Sequence, residues 1–132
     1  MKVVTIAQIT DTERHVHGKC FQSLRLLLAK DGMGFSVHKT IIPFTGIAEH
    51  WHYKNHLEAC YCIEGCGILT NLDTGEKFTI LPDTIYVLDN HDNHTFEAIK
   101  DVVLISIFNP PVIGGEVHQA DGSYSLPQAM TV

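Results

Sequence analysis

The sequence predicts an all-β fold, a sandwich or closed barrel of short strands. Turn signals recur at short intervals: KDGMG, PFTG, IEGCG, LDTGE, LPD, DNHDN, FNPP and GG. The runs between them are apolar or alternating and of strand length, and no repeat or low-complexity tract interrupts them. Many short strands at regular spacing are the signature of a sandwich or barrel. With 132 residues and 45% apolar composition, the chain can bury one core but not two, so a single domain over residues 1–132 is expected.

The elements follow in order. KVVTIA at the N-terminus reads as a short apolar strand. SLRLLLAKDG has helix propensity in its leucines and arginine, but its β neighbours favour a strand over LRLLLA. FSVHKTII, LEACYCI, GILTNL, KFTIL, TIYVL and VVLISIF are the next strand candidates. NLDTGEK sets Asp and Gly between two apolar runs and predicts a hairpin turn. The tail SYSLPQAMTV has no clear period, so the chain after about residue 124 is expected to be loosely ordered.

A formal charge of −6 and a pI near 5.8, with Lys and Arg scattered singly, exclude the clustered basic footprint of a nucleic-acid or anionic-membrane binder. A small molecule is the expected partner. No stretch approaches the roughly 20 apolar residues of a membrane span, and the N-terminus does not read as a signal peptide, so a cytoplasmic location is expected. Cys60, Cys62 and Cys66 then read as free thiols. A thiolate zinc site would need a second pair of ligands on another knuckle, which the sequence does not offer.

The chemistry concentrates in two stretches. In EHWHYKNHLEACYCIEG, strand alternation puts Glu58, Cys60 and Cys62 on one face and Leu57, Ala59, Tyr61 and Ile63 on the other. Glu58 thus points the same way as buried-type residues and needs a partner, either a salt bridge or a bound cation. In IYVLDNHDNHTF, Tyr86 lies mid-strand, His91 reads as a solvated loop residue, and His94 stands at a strand mouth. A histidine there is a hydrogen-bonded core residue or a ligand. Two such clusters in one small barrel favour the second reading.

Together the stretches resemble the two motifs of the cupin superfamily, which implies a jelly-roll barrel (a double-stranded β-helix) with a metal inside. Gly46, His52, Glu58 and Gly65 match the spacing G(X)5HXH(X)3,4E(X)6G, with Lys54 at the second histidine place. Pro82 and His94 match the second motif. The usual three-histidine site is therefore lost. The sequence also resembles the ectoine synthase family from its N-terminus to about Tyr124, through RLLL with DGMGFSVH, HWHYKNHLE, YCIEGCG, IYVLDNHDNH, FNPP and GGEVH.

That resemblance implies a site, residue by residue. The family's iron ligands match Glu58, Tyr86 and His94, a donor set suited to Fe2+. Its pocket residues fall on Arg25, Thr40, Tyr53, His56, Phe108, Glu116 and His118. Phe21 stands where the family usually has tryptophan and Ser106 where it usually has cysteine, while Leu24 and Asp83 replace a threonine and a glycine. The resemblance implies an intramolecular condensation: N-γ-acetyl-L-2,4-diaminobutyrate closes to a cyclic amidine with loss of water, Fe2+ polarising the acetamide carbonyl. Arg25 is assigned to the substrate carboxylate, Tyr53 or His56 to the proton from the amine, and Glu116 to orienting that group. A homodimer is implied as well. Two alternatives stand beside this: a member acting on another N-acyl diamino acid or a glutamine-like substrate, and a non-catalytic cupin that binds a small molecule.

Overall fold

The computed structural model describes residues 1–126, which build two β-sheets around a shared core. The strands are β1 (His15–His17), β2 (Gln22–Leu27), β3 (Ser36–Ile42), β4 (Glu49–Trp51), β5 (Leu57–Glu64), β6 (Gly67–Asn71), β7 (Lys77–Ile80), β8 (Ile85–Leu88), β9 (His94–Ala98) and β10 (Val102–Asn109). The larger sheet runs β1-β2-β3-β10-β5-β8 and the smaller β4-β9-β6-β7, with antiparallel pairing throughout. Antiparallel sheets that bury one face alternate apolar-in and polar-out.

That alternation sorts the side chains of the larger sheet as the sequence predicts. On β5, Glu58, Cys60 and Cys62 are buried while Tyr61 and Ile63 are exposed. On β10, Leu104, Ser106 and Phe108 point inward. The predicted hairpin joins β6 to β7: Asn71 N–H donates to the Glu76 carbonyl, Gly75 N–H to that of Asn71, and the Asn71 side chain accepts from the Asp73 and Thr74 amides.

SLRLLLAKDG is a strand as far as Leu27, then one 3-10 turn at Ala29–Asp31. Pairing with β1 and β3 outweighs the helix propensity of its leucines. Asp31 fixes the turn by accepting the Leu28 amide and pairing with Lys2 and Arg14.

One expectation fails at the N-terminus. KVVTIA is not a strand: residues 1–5 are irregular and Ile6–Ile9 form a single helical turn, α1. The cause is a capping box, in which Thr5 Oγ1 accepts from the Gln8 amide and the Gln8 side chain accepts from the Thr5 amide. The tail after about residue 124, expected to be loosely ordered, is described only as far as residue 126. Ser123 and Tyr124 are buried, and residues beyond 126 lie outside the described part. Residues 110–126 form an irregular strap across the barrel. Val112 N–H donates to Ser36 Oγ, His52 N–H to the Gly122 carbonyl, and Asn55 Nδ2 to that of Tyr124.

Candidate active site

Strand register assembles the site. Residues directly opposite in an antiparallel pair share a face. The pairs Arg25↔His38, His38↔Ser106, Ser106↔Cys60 and Cys60↔Tyr86 therefore form one continuous row across β2, β3, β10, β5 and β8. The flanking rows carry Ser36↔Phe108↔Glu58 on one side and Ser23↔Thr40↔Leu104 on the other. From the smaller sheet, Trp51 and His94 pair directly and are both buried. One set of inward positions thus carries carboxyl, phenol, imidazole, hydroxyl and thiol groups.

His38, Ser106, Tyr86, Phe108, Glu58, Ser23, Thr40 and Leu104 of these rows line an interior cavity with about 330 Å³ of atom-free space, most of it too narrow for a free water. Of the residues singled out in the sequence, Glu58, Tyr86, Thr40 and Ser106 line it from the larger sheet. Phe21, Tyr53, Phe108 and His118 complete the wall. Thr40 and Ser106 join hydroxyls at 2.9 Å, and Ser106 Oγ lies 3.7 Å from Cys60 Sγ. Tyr53 Oη meets His118 Nε2 at 2.7 Å.

His56 and His94 stand just behind the wall. His94 is buried, its Nδ1 is 2.8 Å from the Asp92 carbonyl, and its ring lies 6.0 Å from that of Tyr53. His56 is buried edge-on against Phe108 and Tyr124, with no hydrogen-bond partner at either ring nitrogen among the described residues.

Arg25 and Glu116 both engage backbone groups of the strap. The Arg25 guanidinium is fully buried. It donates through Nε to Ser23 Oγ, through Nη1 to the Gly114 carbonyl and through Nη2 to that of Glu116. Arg25 is not among the residues lining the cavity, and it forms no ion pair among the described residues. Both carboxylate oxygens of Glu116 accept backbone amides of its own loop, from Ile113 and Gly114. Neither orients His56; together they shape residues 113–116, ahead of His118. His91 is exposed but not idle, since its Nδ1 bonds the Tyr53 carbonyl at 2.8 Å.

Burial dominates the electrostatics. It pushes the Glu58 carboxyl up to about 8, against hydrogen bonds from Cys60 and Ser106 that act the other way. Burial also raises the Tyr53 and Tyr86 phenols well above their ordinary value, with the Glu58 charge acting in the same direction. The imidazoles move oppositely: burial lowers His94, takes His38 well below 6.5 and brings His118 to about 3. The salt bridge open to Glu58 is not formed among the described residues. No cluster of three or more His, Cys, Asp or Glu side chains gathers among them to hold an ion; all four cysteines are free thiols.

The comparisons with known proteins agree with this architecture. The family profile described as "Ectoine synthase" matches residues 1–128. The chain belongs to the ectoine synthase family. It is 45% identical over 129 residues to an L-ectoine synthase of Mycobacterium sp. (strain KMS), covering 98% of this chain and 99% of that one. The crystal structure of ectoine synthase from P. lautus has a TM-score of 0.81 at 41% identity, covering 86% of this chain and 80% of that chain. The cupin domain of Schizosaccharomyces pombe Cnp3, at 14% identity and a TM-score of 0.57, shares the fold alone. As a family member, this protein is a cupin and an enzyme, a hydro-lyase. No helix among its described residues is long and apolar enough to cross a membrane.

Sequence reading missed Ser23, His38, Trp51 and Tyr124 at the cavity. His38 was within reach, two positions from Thr40 on one strand and therefore on the same face. Trp51 sits on a three-residue strand too short to show a period, and Tyr124 on an aperiodic strap.

Proposed function

We propose that this protein closes N-γ-acetyl-L-2,4-diaminobutyrate to ectoine with loss of water inside the barrel, with Fe2+ as cofactor. The observation that carries the reading is Glu58, a buried carboxyl at the cavity wall without a cationic partner among the described residues. The relatives, L-ectoine synthases by name, supply the product.

The donor set supports a metal. Glu58 and Tyr86 open on one cavity, and burial disfavours the ionised form of each, a cost that a dication beside them offsets. With Nδ1 turned to the Asp92 carbonyl, His94 keeps its Nε2 lone pair, the arrangement usual for a ligating histidine. Glu58, Tyr86 and His94 are our assignment for the ligands of Fe2+. When bound, the ion supplies Lewis acidity toward the acetamide carbonyl of the substrate.

The chain's own residues do the rest. The paired hydroxyls of Thr40 and Ser106 offer donors to the polar ends of the substrate. Phe21 and Phe108 hold its methylenes curled, which brings amine and amide into a near-attack geometry. Tyr53, hydrogen-bonded to a neutral His118, passes a proton from the amine to the departing hydroxyl, taking one as it gives its own, and His56, without a partner among the described residues, is the second candidate for that step. Arg25 and Glu116 act through the strap that delivers His118, as positioning residues. A dry, narrow cavity favours loss of water over the reverse hydrolysis.

Ser106 and Phe21 in the wall favour a second reading, turnover of another N-acyl diamino acid or of glutamine. Comparing turnover of the N-γ-acetyl compound, its N-α isomer and glutamine by anaerobic, Fe2+-loaded protein separates the two. Preferred ring closure of the N-γ isomer supports ectoine formation; preference for either other compound supports the second reading. Binding without turnover of any of them supports a non-catalytic cupin.

A homodimer fits the outer face of the larger sheet. There Ile105–Tyr61–Ile85 and Ile107–Ala59–Val87 form two apolar cross-strand rows with Tyr61, Ile85, Val87 and Ile107 exposed. Free thiols fit a cytoplasmic location.

A further inference from the structure

Outside the barrel lies a second, wider depression, with about 1020 Å³ of atom-free space counting its open side. Residues 17–21, strand β4 and the strap at residues 117–122 wall it. Three side chains belong to both this cleft and the inner cavity: Phe21, Trp51 and His118. They interlock. Trp51 and His118 stack with ring centroids 4.9 Å apart and planes at 10°; Phe21 meets His118 edge-on at 5.0 Å and Trp51 at 6.2 Å. These rings are the partition between outside and inside.

We infer that the outer cleft is a capture site for a small zwitterion, and that the Phe21–Trp51–His118 partition opens to pass it into the barrel. This rests on the reading that the inner cavity is where the ring closes. Lys19 and Glu49 place an ammonium and a carboxylate on the cleft wall, matching the carboxylate and amine of an amino acid derivative. Phe21, Trp51 and Val117 give it an apolar surface for methylenes. The partition must move, because the inner space is too narrow to admit a ligand as it stands. His118 is the natural moving part: its strap is irregular, its flanking anchors are Arg25 on one side and Gly122 on the other, and among the described residues its ring hydrogen-bonds only across the cavity, to Tyr53.

Trp51 is the single tryptophan of the chain, so its fluorescence reports on the partition. Fe2+-loaded protein is mixed anaerobically with N-γ-acetyl-L-2,4-diaminobutyrate in a stopped-flow instrument, and product is assayed in parallel. The expected record has a fast phase whose rate rises linearly with concentration, then a slower phase that saturates. Lys19→Ala weakens the fast phase and raises KM by about fivefold, with kcat within about twofold, as the loss of one exposed charge contact implies. Phe21→Ala, which removes one ring of the partition and part of the apolar surface of the cleft, weakens the fast phase and accelerates the slow one. Turnover without a change in Trp51 fluorescence, or Lys19→Ala kinetics equal to wild type, overturns the capture site and leaves the reaction standing. Absence of turnover contradicts the reaction, while the fluorescence phases given by the same compound still decide the cleft.

Discussion

Tyr53 Oη lies 2.7 Å from His118 Nε2, joining the loop after β4 to the C-terminal strap inside the barrel. Burial raises the phenol and lowers the imidazole to about 3. Near neutral pH the imidazole is therefore uncharged, and a hydrogen bond joins it to the un-ionised phenol.

Tyr53→Phe removes the hydroxyl from that pair and keeps the ring packed against Phe108 and Tyr124. Loss of a proton-transfer group costs roughly 10²-fold in kcat, with KM little changed. Steady-state kinetics check this, with circular dichroism confirming the fold. Wild-type kcat in Tyr53→Phe would move the proton step to His56.

Acid should destabilise the metal-free protein through its histidines. His38 and His118 stay neutral in the folded state because burial disfavours their charged forms. The unfolded chain takes up those protons as pH falls through about 6.5, whereas folded His118 waits until about 3. Between these values the unfolded state binds more protons, so stability falls as pH falls, by at most about 1.4 kcal/mol per pH unit for each such group. Thermal denaturation should give a Tm that declines from pH 7 to pH 4.5, with a shallower slope in His118→Phe. An identical slope in the variant would remove His118 from the effect.

Arg25→Lys separates two roles. As a strap anchor, the guanidinium reaches the carbonyls of Gly114 and Glu116 at once, which a single ammonium does not reproduce. The substitution should cost about 2 kcal/mol in stability by leaving a buried acceptor unpaired, read as a lowered urea midpoint. Unchanged stability with a raised KM would return Arg25 to gripping substrate.

Gly122 is where the strap touches β4. Its φ is +84°, and an added Cβ would meet the His52 amide nitrogen at 2.9 Å and the His50 carbonyl at 3.0 Å. Gly122→Ala should destabilise by more than the roughly 1 kcal/mol of left-handed backbone strain alone and lower turnover by displacing the strap. Gly75→Ala, at a φ of +78° with open space around it, should show only the strain and no loss of kcat.

The strands of the larger sheet were legible because a period of two is visible over seven or eight residues, as in β3, β5 and β10. The inward face of Glu58 followed from that period. Strands β1 and β4 have three residues each and show no period, so Trp51 went unplaced. The α1 turn was written in the Thr5-to-Gln8 capping box yet hidden by its apolar neighbours. Arg25 and Glu116 were found as site residues by resemblance, but their partners are backbone groups of a loop, and a sequence carries no trace of which carbonyl a side chain will reach. The strap itself has no period. Its order comes from scattered tertiary hydrogen bonds.

The direct test of the divided metal site is an anaerobic Fe2+ titration of wild type and Glu58→Ala, with bound iron counted per chain. Glu58, Tyr86 and His94 as ligands predict one iron in the wild type and essentially none in the variant at the same free Fe2+. Stoichiometric iron in Glu58→Ala, bound as tightly as in wild type, would contradict the assignment.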